Sequence, residues 1–213
     1  MINIGRGVDI FSTLRRVLPR CKLNGLQKKR RVCSFIGHGR PTGVYLIANA
    51  LLHIIVAGDS VTIDRMQPLF DVLGQKTWRV GEEAPRANVV KIAGNFMLVA
   101  AIEAMGEASA LVEGHNVTAD AFLEIMSNTL FASPVYKGYG AAIAERRHEP
   151  AGFALTLGLK DGRLALEAGT DTSVPLPIAS LARDNLLDAI AHGDGKKDWA
   201  AMADVSRRRA GRA

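Results

Sequence analysis

Apolar positions along this chain fall into two regimes. Over residues 1–43 no period persists: Gly5, Gly7, Gly25, Gly37, Gly39 and Gly43 are scattered around the charge run Lys28-Lys29-Arg30-Arg31, and the stretch reads as irregular or degenerate. Residues 51–58, LLHIIVAG, are then a short apolar run closed by Gly58-Asp59, a strand followed by a turn. Ile63, Met66, Leu69 and Leu73 recur at helical spacing, and Gly74 stands where a helix would stop. Residues 76–81, KTWRVG, alternate as a strand does. The pattern over 44–82 is therefore a β-α-β unit.

From Glu82 onward the period is helical. Pro85 suits the first turn of a long helix, predicted to run to Glu113 and end at Gly114. Its apolar positions are Val89, Ile92, Phe96, Val99, Ala100 and Met105. At 1.5 Å per residue it would reach about 40 Å, enough to link two domains. Thr118 is a candidate cap for a helix over 119–131. Further helices are predicted over 134–147, 154–169, 175–192 and 197–209. The expected fold is mostly α: an all-α domain over 83–213 on a long interdomain helix, preceded by the β-α-β remnant.

Composition changes this picture little. Of 213 residues, 48% are hydrophobic and 6% aromatic, so the core should rest on Ala, Leu, Val and Ile. The net charge of +6 hints at nucleic acid until it is divided along the chain. Residues 1–40 hold ten Lys/Arg against one acid, and the remainder holds 17 against 20. The basicity is local, with a smaller cluster at Arg207, Arg208, Arg209 and Arg212, and reads as solvated charge rather than a nucleic-acid surface. Cys21 and Cys33 have neither metal-ligand spacing nor a disulfide framework, so no metal is expected, and they suit a reducing cytoplasm. The first residues lack the apolar core of a secretory signal. The run Val44–Ala57 is too short to span a membrane, so no membrane partner is expected.

The candidate chemistry lies on the long helix. Lys91 and Asn95 are four apart and so share a face. A lysine among Val89, Val90, Ile92 and Phe96 is a candidate for partial burial, which would disfavour its charged form and suit proton transfer. The alternative is a stem lying along the helix with its ammonium in water, and spacing alone leaves both open.

The stretch KIAGNFMLVAAIEAMGEASAL (91–111) resembles the interdomain helix of the 3-hydroxyisobutyrate dehydrogenase family, in which a Lys is followed four residues later by Asn. FALTLGLKDGRLALEAG (153–169) is similar to the family's second signature, and the β-α-β fragment resembles the end of its dinucleotide-binding domain. The resemblance implies a helical domain like that of 6-phosphogluconate dehydrogenase, NAD or NADP as cofactor, and a small hydroxyacid or aldehyde as substrate. It implies Lys91 as the general acid/base, Asn95 as a holder of the substrate oxygen, and Lys160 beside the nicotinamide. A lysine at 91 favours hydroxyacid or aldehyde chemistry over imine reduction. Family resemblance also implies a homodimer or tetramer formed through helical domains. The glycine-rich turn GxGxxG is absent from the sequence. The family's substrate loop would fall at GHGRPTG (37–43), where His38 and Arg40 replace smaller residues. A truncated or degenerate first domain is therefore expected, with impaired activity. The second possibility is a non-catalytic helical protein that keeps only the self-association surface.

Overall fold

The computed structural model describes residues 33–36 and 52–212. The chain forms two compact units, dividing between Lys91 and Ile92. In the first unit, strand β1 (Cys33–Ile36) pairs antiparallel with β2 (Leu52–Val56), and β2 pairs in parallel with β3 (Gly74–Arg79). Helix α1 (Ser60–Leu73) connects the two parallel strands. Strand β1 lies inside the stretch expected to be irregular. Backbone pairing with β2, at the register Cys33 to Val56, makes a strand there without any apolar period.

Each feature of the β-α-β unit has a local cause. The Asp59 carboxylate accepts from the Thr62 hydroxyl and the Thr62 N–H, each at 2.8 Å, and caps α1; these hydrogen bonds hold its carboxyl below the usual range. Ile63, Leu69 and Phe70 are the buried stripe of α1, and Ile63 and Phe70 pack with Leu52, Ile54 and Val56. Gly74 ends the helix as expected, its N–H bonding the Phe70 carbonyl; it is extended (φ −148°) and opens β3, and a Cβ there would lie 2.5 Å from the Leu52 carbonyl oxygen. Close strand approach is what requires a glycine at this cap.

The second unit is helical. It comprises the rest of α2 (Pro85–Gly114), then α3 (Ala119–Asn128), α4 (Pro134–Ala144), α5 (Leu155–Asp171) and α6 (Pro177–Ala191). Two 3₁₀ turns, Asp194–Lys196 and Trp199–Ala203, lead into α7 (Asp204–Arg209). Its core is built largely from aliphatic and alanine side chains, among them Val99, Ile102, Leu155, Ala182 and Leu186. Trp199 sits in this core, with Phe153 and Tyr139 edge-on at 4.8 and 5.8 Å between ring centroids.

The buried side of α2 in this unit includes Val99, Ile102, Met105 and Ala110. Val89, expected on the apolar stripe, is half exposed. By length and composition α2 is apolar enough to cross a membrane. A second apolar stripe explains this: Met97, Ala104 and Leu111 recur every seven residues and are all exposed.

Two predicted ends move. Gly114 is the last helical residue of α2, and the chain turns left-handed at Asn116 (φ 63°), with the Val117 N–H bonding the Val112 carbonyl. Helix α3 stops at Asn128 rather than 131, because the side chains of Ser127, Asn128 and Thr129 bond back to the carbonyls of Glu124 and Ile125. The single helix predicted over 197–209 is broken. Asp198 caps the 3₁₀ turn through Ala200 N–H at 3.1 Å, and only Asp204–Arg209 is α-helical.

Candidate functional site

Asn95 lies on the second turn of α2 after the unit boundary, partly buried. Its amide nitrogen donates to Oδ2 of Asp161 at 2.6 Å, across 66 residues of sequence. Oδ1 of the same carboxylate meets the Lys160 ammonium at 2.8 Å. Asp161 is buried while the Lys160 side chain is 59% exposed. One carboxylate therefore joins the helix carrying Asn95 to the helix carrying Lys160. Asp161 is not among the residues singled out from the sequence. The missed signal is its position on the buried stripe of α5, with Leu155, Gly158, Leu159, Gly162 and Ala165.

Lys91 is exposed. The apolar neighbours that suggested shelter are themselves open: Val89 is 50% and Val90 41% exposed. Residues adjacent in sequence point about 100° apart around a helix, so apolar neighbours do not by themselves bury a lysine. The stretch 37–43, with His38 and Arg40, lies outside the described residues.

The start of α5 is held from behind. Asp198, fully buried, accepts from the N–H groups of Gly152 and Phe153 at 2.9 and 3.1 Å. The Trp199 N–H bonds the Phe153 carbonyl, and the Leu155 N–H bonds the Lys197 carbonyl. Those bonds fix the turn that opens α5, the helix that carries Lys160 and Asp161. His148, buried, meets Asp204 at 3.0 Å. Burial raises the Asp204 carboxyl, but the His148 contact and the charges of Arg146 and Arg207 outweigh it and leave it below its ordinary value.

A second buried polar pair lies deeper. Glu103 on α2 accepts from Asn185 on α6, and burial pushes its carboxyl up to about 7 against the lowering effect of that hydrogen bond. The arginine cluster is not the solvated face expected from the sequence. Arg207 pairs with Glu113 at 3.1 Å, Arg208 with Asp188 and Asp194, and Arg209 with Asp188, while Arg212 donates to the Ala110 carbonyl. Among the described residues no group of three or more His, Cys, Asp or Glu side chains is placed to hold a metal.

Comparison with known proteins gives this arrangement a family. Residues 86–206 match the model described as NAD-binding of NADP-dependent 3-hydroxyisobutyrate dehydrogenase. An uncharacterised oxidoreductase of Bacillus subtilis is 44% identical over 164 residues, covering 77% of this chain and 56% of that protein. A glyoxylate/succinic semialdehyde reductase of Arabidopsis thaliana is 29% identical, with 72% and 53% covered. The solved 3-hydroxyisobutyrate dehydrogenase of Salmonella typhimurium superimposes with a TM-score of 0.73 at 20% identity, covering 82% of this chain and 59% of that one. The fold is thus that of a nicotinamide-dependent oxidoreductase. Within that class the chain belongs to the 3-hydroxyisobutyrate dehydrogenase family. It spans about half the length of the curated relatives it matches.

Proposed function

We propose that this chain carries the helical half of a site for hydride exchange between NAD or NADP and a small hydroxyacid or aldehyde. The observation that carries the reading is the Asp161 bridge, which ties together the two stretches that resemble the family's signatures. Lys91 exchanges the proton of the substrate hydroxyl, Asn95 holds that oxygen, and Lys160 meets the nicotinamide end of the cofactor. The bound cofactor supplies or takes the hydride. An exposed ammonium anchored by a buried carboxylate is a suitable donor to the uncharged oxygens of that end. The fit stops there: the sequence contains no GxGxxG turn to receive the pyrophosphate. Relatives named as acting on glyoxylate, succinic semialdehyde and 3-sulfolactaldehyde support a short, oxygen-rich substrate.

The missing turn favours impaired activity. NADH and NADPH titrated into the 213-residue chain by fluorescence should show weak binding at most, with little turnover of hydroxyisobutyrate, glyoxylate or succinic semialdehyde. Micromolar affinity with robust turnover would refute the impairment. If turnover is measurable, Lys91→Ala should lower it about 10²- to 10⁴-fold, and undiminished turnover would remove Lys91 from the mechanism. A second reading, a non-catalytic protein that self-associates, is favoured by the exposed stripe of Met97, Ala104 and Leu111. Stable oligomers with no affinity for either cofactor would select it.

A further inference from the structure

We propose that Asp161 is a positioning residue that decides which end of the Asn95 amide meets the substrate oxygen. The inference rests on the substrate-holding role proposed for Asn95. A carboxylate offers only acceptors, so the amide nitrogen is the end of Asn95 that can face it. Turned the other way, the Asn95 carbonyl would oppose Oδ2 with no proton between them. With one N–H committed to Asp161, Asn95 keeps its carbonyl oxygen and its second N–H for a ligand.

The free N–H suits both redox forms of a single substrate oxygen. The alcohol oxygen and the aldehyde oxygen each accept from it, which leaves the hydroxyl proton to Lys91. An amide held in one orientation serves both directions of a reversible reaction without reorganising.

Lys160 completes the device. Neighbouring residues on a helix do not face each other, yet the Lys160 stem folds sideways to bring its ammonium within 2.8 Å of Oδ1. The cation offsets the charge of a carboxylate that is buried on α5. Because one carboxylate holds both side chains, a change at Asp161 should be felt at both.

The test uses the full 213-residue chain, ¹⁵N-labelled, with the Asn95 side-chain resonances identified by their loss in Asn95→Ala. Asp161→Asn is nearly isosteric but can donate as well as accept, so it removes the constraint. Losing a hydrogen bond to a charged partner should speed exchange of the Asn95 amide protons about 10- to 100-fold. Asp161→Glu keeps an acceptor-only partner and should retain part of the protection. Backbone amides along α5 should exchange as in the wild type. Unchanged Asn95 resonances in Asp161→Asn would overturn the proposal. So would equal acceleration along α5, which would mark a purely structural role. Should Asp161→Asn fail to fold, Asp161→Leu provides the second variant, with the same two outcomes. A parallel NADPH titration of wild type and Lys160→Met tests the cofactor reading separately, since the Asn95 measurement needs no bound cofactor.

Discussion

Glu103 stands at the middle of α2 with its carboxyl pushed up to about 7, and that single group makes stability depend on pH. The unfolded chain loses this proton near the ordinary glutamate value of 4.5. The folded chain keeps it to about 7, so between those values the native state binds more protons. Stability should therefore fall as pH rises through that window and level off above it. Glu103→Gln still accepts from Asn185 and cannot ionise. The variant should gain on the wild type by roughly 2 kcal/mol between pH 5 and pH 8, read from urea unfolding at the two pH values; a constant difference would contradict the assignment. Such a residue is hard to find in sequence. Glu103 and Glu107 look alike there, four apart on one helix, and only the opposing Asn185 distinguishes the buried one.

Helices and strands were legible wherever the local period matched the packing. The β-α-β unit, the start of α2 at Pro85 and the Thr118 cap all follow from adjacent residues. Ends were less legible because the residues that close these helices are not the usual glycine or proline signals. Helices α2, α4 and α5 close at Asn116, Arg146 and Ser173, each left-handed, and each followed by an N–H that reaches back five residues. The glycines inside helices have other uses, which two substitutions separate. Gly162 lies inside α5, and a Cβ there would meet the Leu186 side chain at an ordinary 3.9 Å. Gly162→Ala should then stabilise by about 0.5–1 kcal/mol through helix propensity. At Gly106 a Cβ would lie 2.6 Å from the Ala203 Cα, so Gly106→Ala should destabilise by about 1–3 kcal/mol. Thermal melts of the two variants should move in opposite directions, and a shared direction would sink the packing argument. The Asp161 bridge was illegible for a different reason: it joins positions 66 apart, and no local pattern reports a pairing at that distance.

On the scale of the molecule, α2 leaves much apolar area uncovered. Met97 and Leu111 are 69% and 64% exposed, and Leu130 on the chain after α3 is 79% exposed. Patches of this kind mark association surfaces. A second copy of the chain is the expected occupant, as the family resemblance implies. Wild-type protein should run as a dimer or larger species in light scattering, and the double variant Met97→Glu, Leu111→Glu should dissociate toward monomer. A monomeric wild type, or an unshifted variant, would remove self-association from the proposal. Two arginines near the end of the described chain bear on the same helix. Arg207 and Arg212 fasten to Glu113 and Ala110, near the end of α2, and Arg208 and Arg209 to Asp188 on α6. During synthesis α2 leaves the ribosome long before the partners that complete its far end. Until residues 207–212 emerge, Glu113 has no arginine to meet, and the nascent helical unit waits with its seam open to chaperones and proteases. A released chain ending just short of Arg207 should therefore be cut readily in this unit, and one extended through Arg212 should resist.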